Sequence, residues 1–514
     1  MTDTTGATTA TTAADNGATA DVVTRDDPRY SALVEGYNHR FVGRPDQVRL
    51  VRDAAEVQAA VQIAVDSGRD VAVRSGGHCF EDFTAHPDVR MLIDLSALNH
   101  VGHDPERDAF VVEPGARLDH VYRTLHDGWG VTIPAGTCFE VAAGGHFAAG
   151  GYGPLSRRDG LVVDHLVAVE AVVVEADGRV RTVVGTNQPD DPHHDLWWAC
   201  TGGGGGSFGV VTKYWLRSPG TPDGDPARQL PRAPRAVHRR DTLWSWDTMS
   251  DADFHRLLRN YCTWYEQNSE PGAPAAPLWS NLIITHRSGN MFILTSVIPD
   301  DAPDAAKLLD AHTEAITRGM QAAPMSSTSE LAPWLDTWLP SYSWPSDPQG
   351  RYKNKAGYLR RGFTDAQIAA IHRHLSAADY DNPMGCLVVT GFGGRVNGVA
   401  SDATAVAQRD SILKASYSTG CWTDPADDER HLAWVRAYYA DVYAHSGGVP
   451  VPDATGDGSY IGYPDTDLAD PAWNGSGVDW SALYFKGNYP RLQRAKQAYD
   501  PLDVFHHGLS VRLP

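Results

Sequence analysis

Two stretches, Val71-Ala72-Val73-Arg74-Ser75-Gly76-Gly77-His78 and Pro134-Ala135-Gly136-Thr137-Cys138, decide how this chain is read. In the first, a short apolar strand runs into a glycine turn that ends on an imidazole. In the second, a glycine precedes a thiol, and the run Gly144-Gly145-His146 through Gly150-Gly151-Tyr152-Gly153 follows. Backbone amides approach a pyrophosphate or a flat ring only where side chains are absent, so each loop suits a large anionic cofactor. Each also offers that cofactor a nucleophile. A buried structural His or Cys explains either loop alone. The two in this order point to a cofactor held at two places.

The flanks of these loops predict an α+β unit. Gln47 to Val51 reads as a strand, and Asp53 caps a helix with Glu56 three residues on and an apolar stripe of Val57, Val61, Ala64 and Val65 up to Gly68. Met91 to Leu95, Ala109 to Val112 and Val131 to Ile133 are further short strands. Leu166 to Val174 pairs with Arg179 to Val184 across Asp177-Gly178. The Pro-rich stretch Pro219 to Pro234 then breaks the pattern and marks a boundary. Beyond it, strands such as Leu282 to His286 and Phe292 to Val297 alternate with helices, one capped by Thr364 and Gln367 and one from Asp427 to Ala444. An antiparallel sheet with helices on one side is the simplest layered solution.

Composition narrows the function. A chain of 514 residues with a formal charge of −20 lacks the clustered Lys and Arg that nucleic acid requires, and no run of 18 apolar residues suggests a membrane span. The first 27 residues, mostly Thr, Ala, Asp and Gly, read as a disordered tail with no signal peptide, which implies a cytoplasmic protein. Six cysteines form no metal-binding spacing. Of these, Cys79, Cys200, Cys262, Cys386 and Cys421 read as core thiols, and no metal site is expected. The run Gly202 to Gly206 follows a helical stretch and precedes a strand, the reverse of the order a dinucleotide fingerprint needs.

The two nucleophile loops, together with RSGGHCFEDF, GGYGPLSR, DPHHDLWWA and the closing stretches Tyr484 to Tyr489 and Tyr499 to Phe505, resemble the berberine-bridge-enzyme-like branch of the vanillyl-alcohol-oxidase (PCMH-type FAD-binding) superfamily, from about Arg40 to the C-terminus. Within it the chain is most similar to bacterial antibiotic-tailoring oxidases. The resemblance implies a two-part FAD-binding domain, 28–225 with 449–514, and an inserted substrate domain, 226–448. It implies one FAD bound covalently, through its 8α-methyl to His78 and through C6 to Cys138. Arg74, Ser75, Gly76, Gly77, Gly144, Gly145, His146, Gly150, Gly151, Gly153, Gly206, Gly209, Val210, Tyr484 and Asn488 are the implied noncovalent contacts, His146 hydrogen-bonding the flavin side chain.

Oxidising an alcohol by hydride transfer to flavin N5 needs a base on the hydroxyl and a site that excludes water. By chemistry alone His, Glu and Tyr are all candidates, and 21 His and 20 Tyr leave the choice open. The resemblance implies Tyr463 as base, supported by Tyr152 and Tyr443. A phenol titrates near ~10, so a neighbouring donor is expected to stabilise its anion. In a branch member that performs two oxidations, a second tyrosine falls at the position of Phe392, which points to a single oxidation here. Trp244, Trp246, Trp264, Trp279, Trp334, Trp338 and Trp344 crowd the insert, and Tyr358 and Tyr417 are expected at the cleft. The implied activity converts a secondary or sugar hydroxyl of a secondary metabolite to a carbonyl or acid, with O2 reduced to H2O2. Flavin-dependent cyclisation or desaturation is the alternative enzyme reading, and a non-catalytic binder the reading from another class.

Overall fold

The computed structural model describes residues 20–339 and 350–514. Three sheets organise them. The first holds β1 (Asp21–Thr24), β2 (Gln47–Leu50), β3 (Val71–Arg74) and β4 (Met91–Asp94) in the order β1-β2-β4-β3, with β4 parallel to both β2 and β3. The helix Ala54–Ser67 makes the crossover. Asp53 accepts the Glu56 amide at its start, and Gly68, at φ 61°, ends it in the left-handed conformation a glycine adopts without strain. The second sheet holds β5 (Val101–Asp104), β6 (Ala109–Val112), β7 (Leu166–Val174), β8 (Val180–Thr186) and β9 (Val210–Leu216) in the order β5-β6-β9-β7-β8, all antiparallel.

The third sheet is antiparallel throughout, in the order β13-β10-β12-β11-β15-β16-β14. Its strands are β10 (Ala236–Trp244), β11 (Trp279–Thr285), β12 (Phe292–Pro299), β13 (Ser326–Pro333), β14 (Arg351–Leu359), β15 (Cys386–Gly391) and β16 (Leu413–Trp422). Side chains alternate across a strand, and here the alternation divides an apolar core face from a mixed face on which polar side chains sit among Leu243, Trp279, Ile283, Ile293 and Val388. Leu282, Ile284, Leu294, Leu387, Val389, Ala415 and Tyr417 are buried in the core. The helices Ala305–Thr317 and Asp428–Val442 pack on the sheet. Asp241, Asn281, Thr295, Thr390, Lys414 and Ser416 face the opposite way, into a cavity.

Three sequence expectations are corrected. Asp21–Thr24 is a strand and not tail, because Val23 is fully buried and the strand pairs residue by residue with β2; residues 1–19 lie outside those described. Val131 to Ile133 makes only an isolated bridge to Arg232, its side chains buried in a core that β7 and β9 already span. Cys421 is exposed, at φ 61° near the end of β16, and Cys79 is half-buried. The Trp338 side chain and Trp344 lie outside the described residues. Among the described residues no helix is long and apolar enough to cross a membrane.

Candidate active site

His78 and Cys138 line one cavity of about 860 Å3, bounded by the glycine loops of the first two sheets and the mixed face of the third. β3 delivers its chain directly to the turn that carries His78, and Gly77 takes φ 73° to make it. The His78 ring stacks on Tyr37, centroids 4.8 Å apart, and burial pulls its pKa down to about 4, so the imidazole is neutral. On the other loop Gly136 N–H donates to His146 Nε2 at 3.0 Å, leaving the His146 proton on Nδ1. Burial first, and Lys414 second, hold His146 at about 4. The Cys138 loop packs at backbone contact on the glycine run that follows it, where a Cβ on Gly153 would lie 1.6 Å from the Ala135 carbonyl oxygen, and the His78 loop packs on the stretch between the two, where a Cβ on Gly76 would lie 2.8 Å from the Ala142 nitrogen.

Across the cavity stands a tyrosine cluster with one lysine inside it. The hydroxyls of Tyr152 and Tyr463 are 2.7 Å apart. Lys414 Nζ, projecting from β16, lies 3.6 Å from the Tyr152 ring centroid, 3.7 Å from that of Tyr463 and 3.8 Å from that of Tyr460. It has no hydrogen-bond acceptor among the described residues. Burial pushes the Tyr463 phenol up to about 12 and pulls the Lys414 amine well below the usual lysine range, so each charge is disfavoured alone. Formed together, phenolate and ammonium offset each other in a site screened from water. Asn354, almost fully buried on the same wall, has an Nδ2 donor without a partner among the described residues.

A buried ion network ties this cluster to the His78 loop. Lys353 Nζ reaches Glu81 Oε1 at 2.5 Å and Asp465 Oδ1 at 2.7 Å, so one ammonium on β14 joins a residue three beyond His78 to one two beyond Tyr463. Lys355 adds Asp465 at 2.6 Å and Asp467 at 2.7 Å, and Arg436 binds Asp467 at 2.7 Å. Burial opposes the Lys353 charge, yet Asp465, Glu81 and Asp467 together hold its ammonium above the usual lysine range.

The residues present fit FAD. Arg74 Nε is buried on the cavity wall with no hydrogen-bond acceptor among the described residues, 3.8 Å from Asp94, and burial disfavours its charge, as suits a cation that meets an anionic ligand. Gly145 and Gly205 also line the cavity, and a Cβ on either would meet no protein atom. The C-terminal segment returns to this end: His507 Nε2 lies 3.0 Å from the Gly205 carbonyl oxygen, and its ring stacks on Phe83 at 3.9 Å. Among the described residues no cluster of His, Cys, Asp and Glu could hold a metal ion.

Of the residues singled out in the sequence, His78, Cys138, Arg74, Ser75, Gly76, Gly77, Gly144, Gly145, His146, Tyr152, Gly153, Gly206, Gly209, Val210 and Tyr463 line the cavity. Others stand behind its wall. Gly150 and Gly151 pack against Val406 and Val162, where φ values of 111° and 64° shape the turn. Tyr484 spends its hydroxyl accepting the Asp465 amide at 3.0 Å, and Asn488 Nδ2 donates to the Ser401 carbonyl at 2.7 Å. Tyr417 is turned away by strand alternation, since Lys414, Ser416 and Ser418 take the cavity side. Its hydroxyl donates to Tyr443 at 3.3 Å in the core, which places Tyr443 there too, one residue past the helix Asp428–Val442. Tyr358 and Phe392 form a buried layer under Tyr152 and Tyr460.

Sequence reasoning missed Lys414, Tyr460, Tyr37 and Asn354. The signal for the first was present: Lys414-Ala415-Ser416-Tyr417-Ser418 alternates polar and apolar, and a lysine on the polar face of an otherwise apolar strand is rarely idle. Trp279 lines the cavity, while Trp244, Trp246 and Trp334 are core and Trp264 is half-buried.

Comparison with known proteins agrees with this geometry. Residues 45–183 match a family model described as an FAD binding domain, and residues 459–512 one described as berberine and berberine like. The chain is 48% identical over 493 residues to the aclacinomycin-N/aclacinomycin-A oxidase of Streptomyces galilaeus, covering 96% of this chain and 90% of that protein. Among solved structures, a flavoenzyme of caerulomycin biosynthesis superposes with a TM-score of 0.93 at 46% identity, covering 96% of this chain and all, 100%, of the other. A glycopeptide hexose oxidase complexed with teicoplanin superposes with a TM-score of 0.92 at 49% identity, covering 96% and 99%. The chain therefore belongs to the berberine-bridge-enzyme-like branch of the FAD-binding superfamily, close to bacterial antibiotic-tailoring oxidases, and is an FAD-linked oxidoreductase acting on CH–OH donors with oxygen as acceptor.

Proposed function

We propose that this chain holds FAD covalently through both His78 and Cys138 and oxidises one alcohol, a secondary or sugar hydroxyl of an antibiotic-like small molecule, to a carbonyl or acid. The observation that carries the proposal is the Tyr152–Tyr463 hydroxyl pair at 2.7 Å beneath Lys414, in the same cavity as His78 and Cys138. FAD bound there would take up hydride from the alcohol carbon at N5 and return two electrons to O2 as H2O2 in each round; one round gives the carbonyl, and an acid would require a second on the hydrated aldehyde. The protein's part is the hydroxyl proton. Tyr463 Oη accepts it, Tyr152 donates a hydrogen bond to the phenolate, and Lys414 supplies the opposing charge. Asn354 Nδ2 is free to orient a substrate oxygen.

Family matches at 45–183 and 459–512 support reading 28–225 with 449–514 as the FAD-binding unit and 226–448 as the substrate unit. The compounds named with the relatives supply the first probes: aclacinomycin N, aclacinomycin A and teicoplanin, assayed by peroxide release. Tyr463→Phe tests the proposal. Flavin loading is expected to stay at the wild-type level while alcohol oxidation falls by ~10²–10⁴, the range for losing a general base. Wild-type turnover by Tyr463→Phe would rule out the phenol as base.

A further inference from the structure

Tyr37 stacks on one proposed attachment residue, His78, and shares a cavity with the other, Cys138. Its ring covers one face of the His78 imidazole, with centroids 4.8 Å apart and planes 28° from parallel. Main-chain bonds fix the pairing: Tyr37 N–H donates to the Gly77 carbonyl at 2.8 Å, and Asn38 Nδ2 donates to the Phe80 carbonyl at 2.7 Å. Phe80 and Tyr352 close around the Tyr37 ring at 5.9 Å and 6.1 Å. Tyr37, His78 and Cys138 line the same cavity, and after burial the Cys138 charge is the next influence that raises the Tyr37 phenol. A histidine ring has a broad, roughly two-fold preference about its outer torsion, so an unsupported imidazole would present its nitrogens in many directions. Stacking on a fixed ring removes that freedom.

We propose that Tyr37 is a positioning residue for cofactor attachment: its ring holds the His78 imidazole in the one orientation from which a ring nitrogen meets the flavin 8α-methyl carbon. The proposal rests on the covalent reading above. In the step it serves, the imidazole gives up its N–H proton, the methyl carbon gives up one hydrogen, and an N–C bond forms between them. The two protons and two electrons released go to O2 as H2O2, with the oxidant that the enzyme's own reaction uses. The neutral state of buried His78 leaves a nitrogen lone pair available for that bond. Orientation of this kind lowers the barrier without adding a reacting group.

Two backgrounds separate the bonds. Cys138→Ala leaves only the His78 attachment and His78→Ala only the Cys138 attachment. In each, Tyr37→Ala and Tyr37→Phe are followed during incubation with FAD and O2, by the fraction of denatured full-length protein that carries one added FAD mass. In the Cys138→Ala background, Tyr37→Ala is expected to attach FAD roughly two- to tenfold more slowly, the span a lost aromatic stack covers, while Tyr37→Phe keeps the original rate. In the His78→Ala background neither substitution is expected to change the rate. An unchanged rate for Tyr37→Ala at His78, an equal loss in both backgrounds, or an equal loss for Tyr37→Phe would each overturn the proposal. Failure of the covalent reading is a different result: no FAD mass on any denatured protein, including those that retain Tyr37.

Discussion

Replacing Lys414 with methionine keeps most of the side chain's volume and removes the one charge inside the tyrosine cluster. The effect follows from the geometry. With Nζ 3.7 Å from the Tyr463 ring centroid, the attraction between ammonium and phenolate is ~4 kcal/mol at an effective dielectric near ~20. Part of this is already present with the neutral phenol, since a desolvated cation over an aromatic face is worth ~2 kcal/mol. The difference, ~2 kcal/mol, predicts a loss of ~30-fold in the rate of flavin bleaching at neutral pH. The sign in pH is fixed as well. Burial holds the phenol at about 12 with Lys414 in place, and removing the cation raises it further, so the variant's rate is expected to climb at higher pH than the wild type's. The assay is anaerobic flavin bleaching by a substrate identified through peroxide release, read against pH. A Lys414→Met enzyme with normal flavin loading, wild-type rate and an unshifted profile would refute the role of the lysine.

Two further outcomes follow from the buried charges. Lys353→Met removes the lysine that Glu81 binds in the interior, while Asp465 keeps Lys355, and urea unfolding is expected to show a loss of ~3–5 kcal/mol, partly restored by adding Glu81→Gln. A loss below ~1 kcal/mol would mean that water relieves the network. His312 is fully buried between Ser280 and Ser296, at 3.3 Å from each hydroxyl, and burial holds it neutral down to about 3. The unfolded chain protonates it below ~6.5, so its contribution is complete above that pH and drains away as pH falls toward 3, reaching ~3 kcal/mol lost two units below. The stability gap between wild type and His312→Gln should therefore narrow on acidification; a constant gap would show that the ring titrates in the fold as it does in water.

The loops that bring His78 and Cys138 to one cavity were legible because glycines at fixed offsets around a nucleophile are local features, and the helix Ala54–Ser67 was legible because Asp53 and Gly68 mark its ends. Tyr463 and Tyr152 came from likeness to a family, and nothing in their own neighbourhoods specified that their hydroxyls meet. Lys414 carried a local signal in the alternation of β16, but its partners did not: the three tyrosines come from two distant stretches, Tyr152 in one and Tyr460 with Tyr463 in the other, and only the fold sets the lysine among them. Tyr417 was misplaced by one question of parity, which side of β16 faces the cavity. Tyr484 and Asn488 lie in a stretch shared with the family, yet their polar groups are occupied by Asp465 and Ser401. Residues that hold cofactor-bearing loops together are as constrained as those that touch the cofactor. The strand Asp21–Thr24 was hidden by polar neighbours, with Val23 alone carrying its burial.

The claim at the centre of this account is a flavin held at two points, and denaturation tests it most directly. Absorbance and intact mass of the unfolded protein would be compared for wild type, His78→Ala, Cys138→Ala and the double variant. One added FAD mass and yellow colour are expected on wild type and on each single variant, and on neither count for the double. Flavin that separates from unfolded wild type, or stays with the double variant, would contradict it.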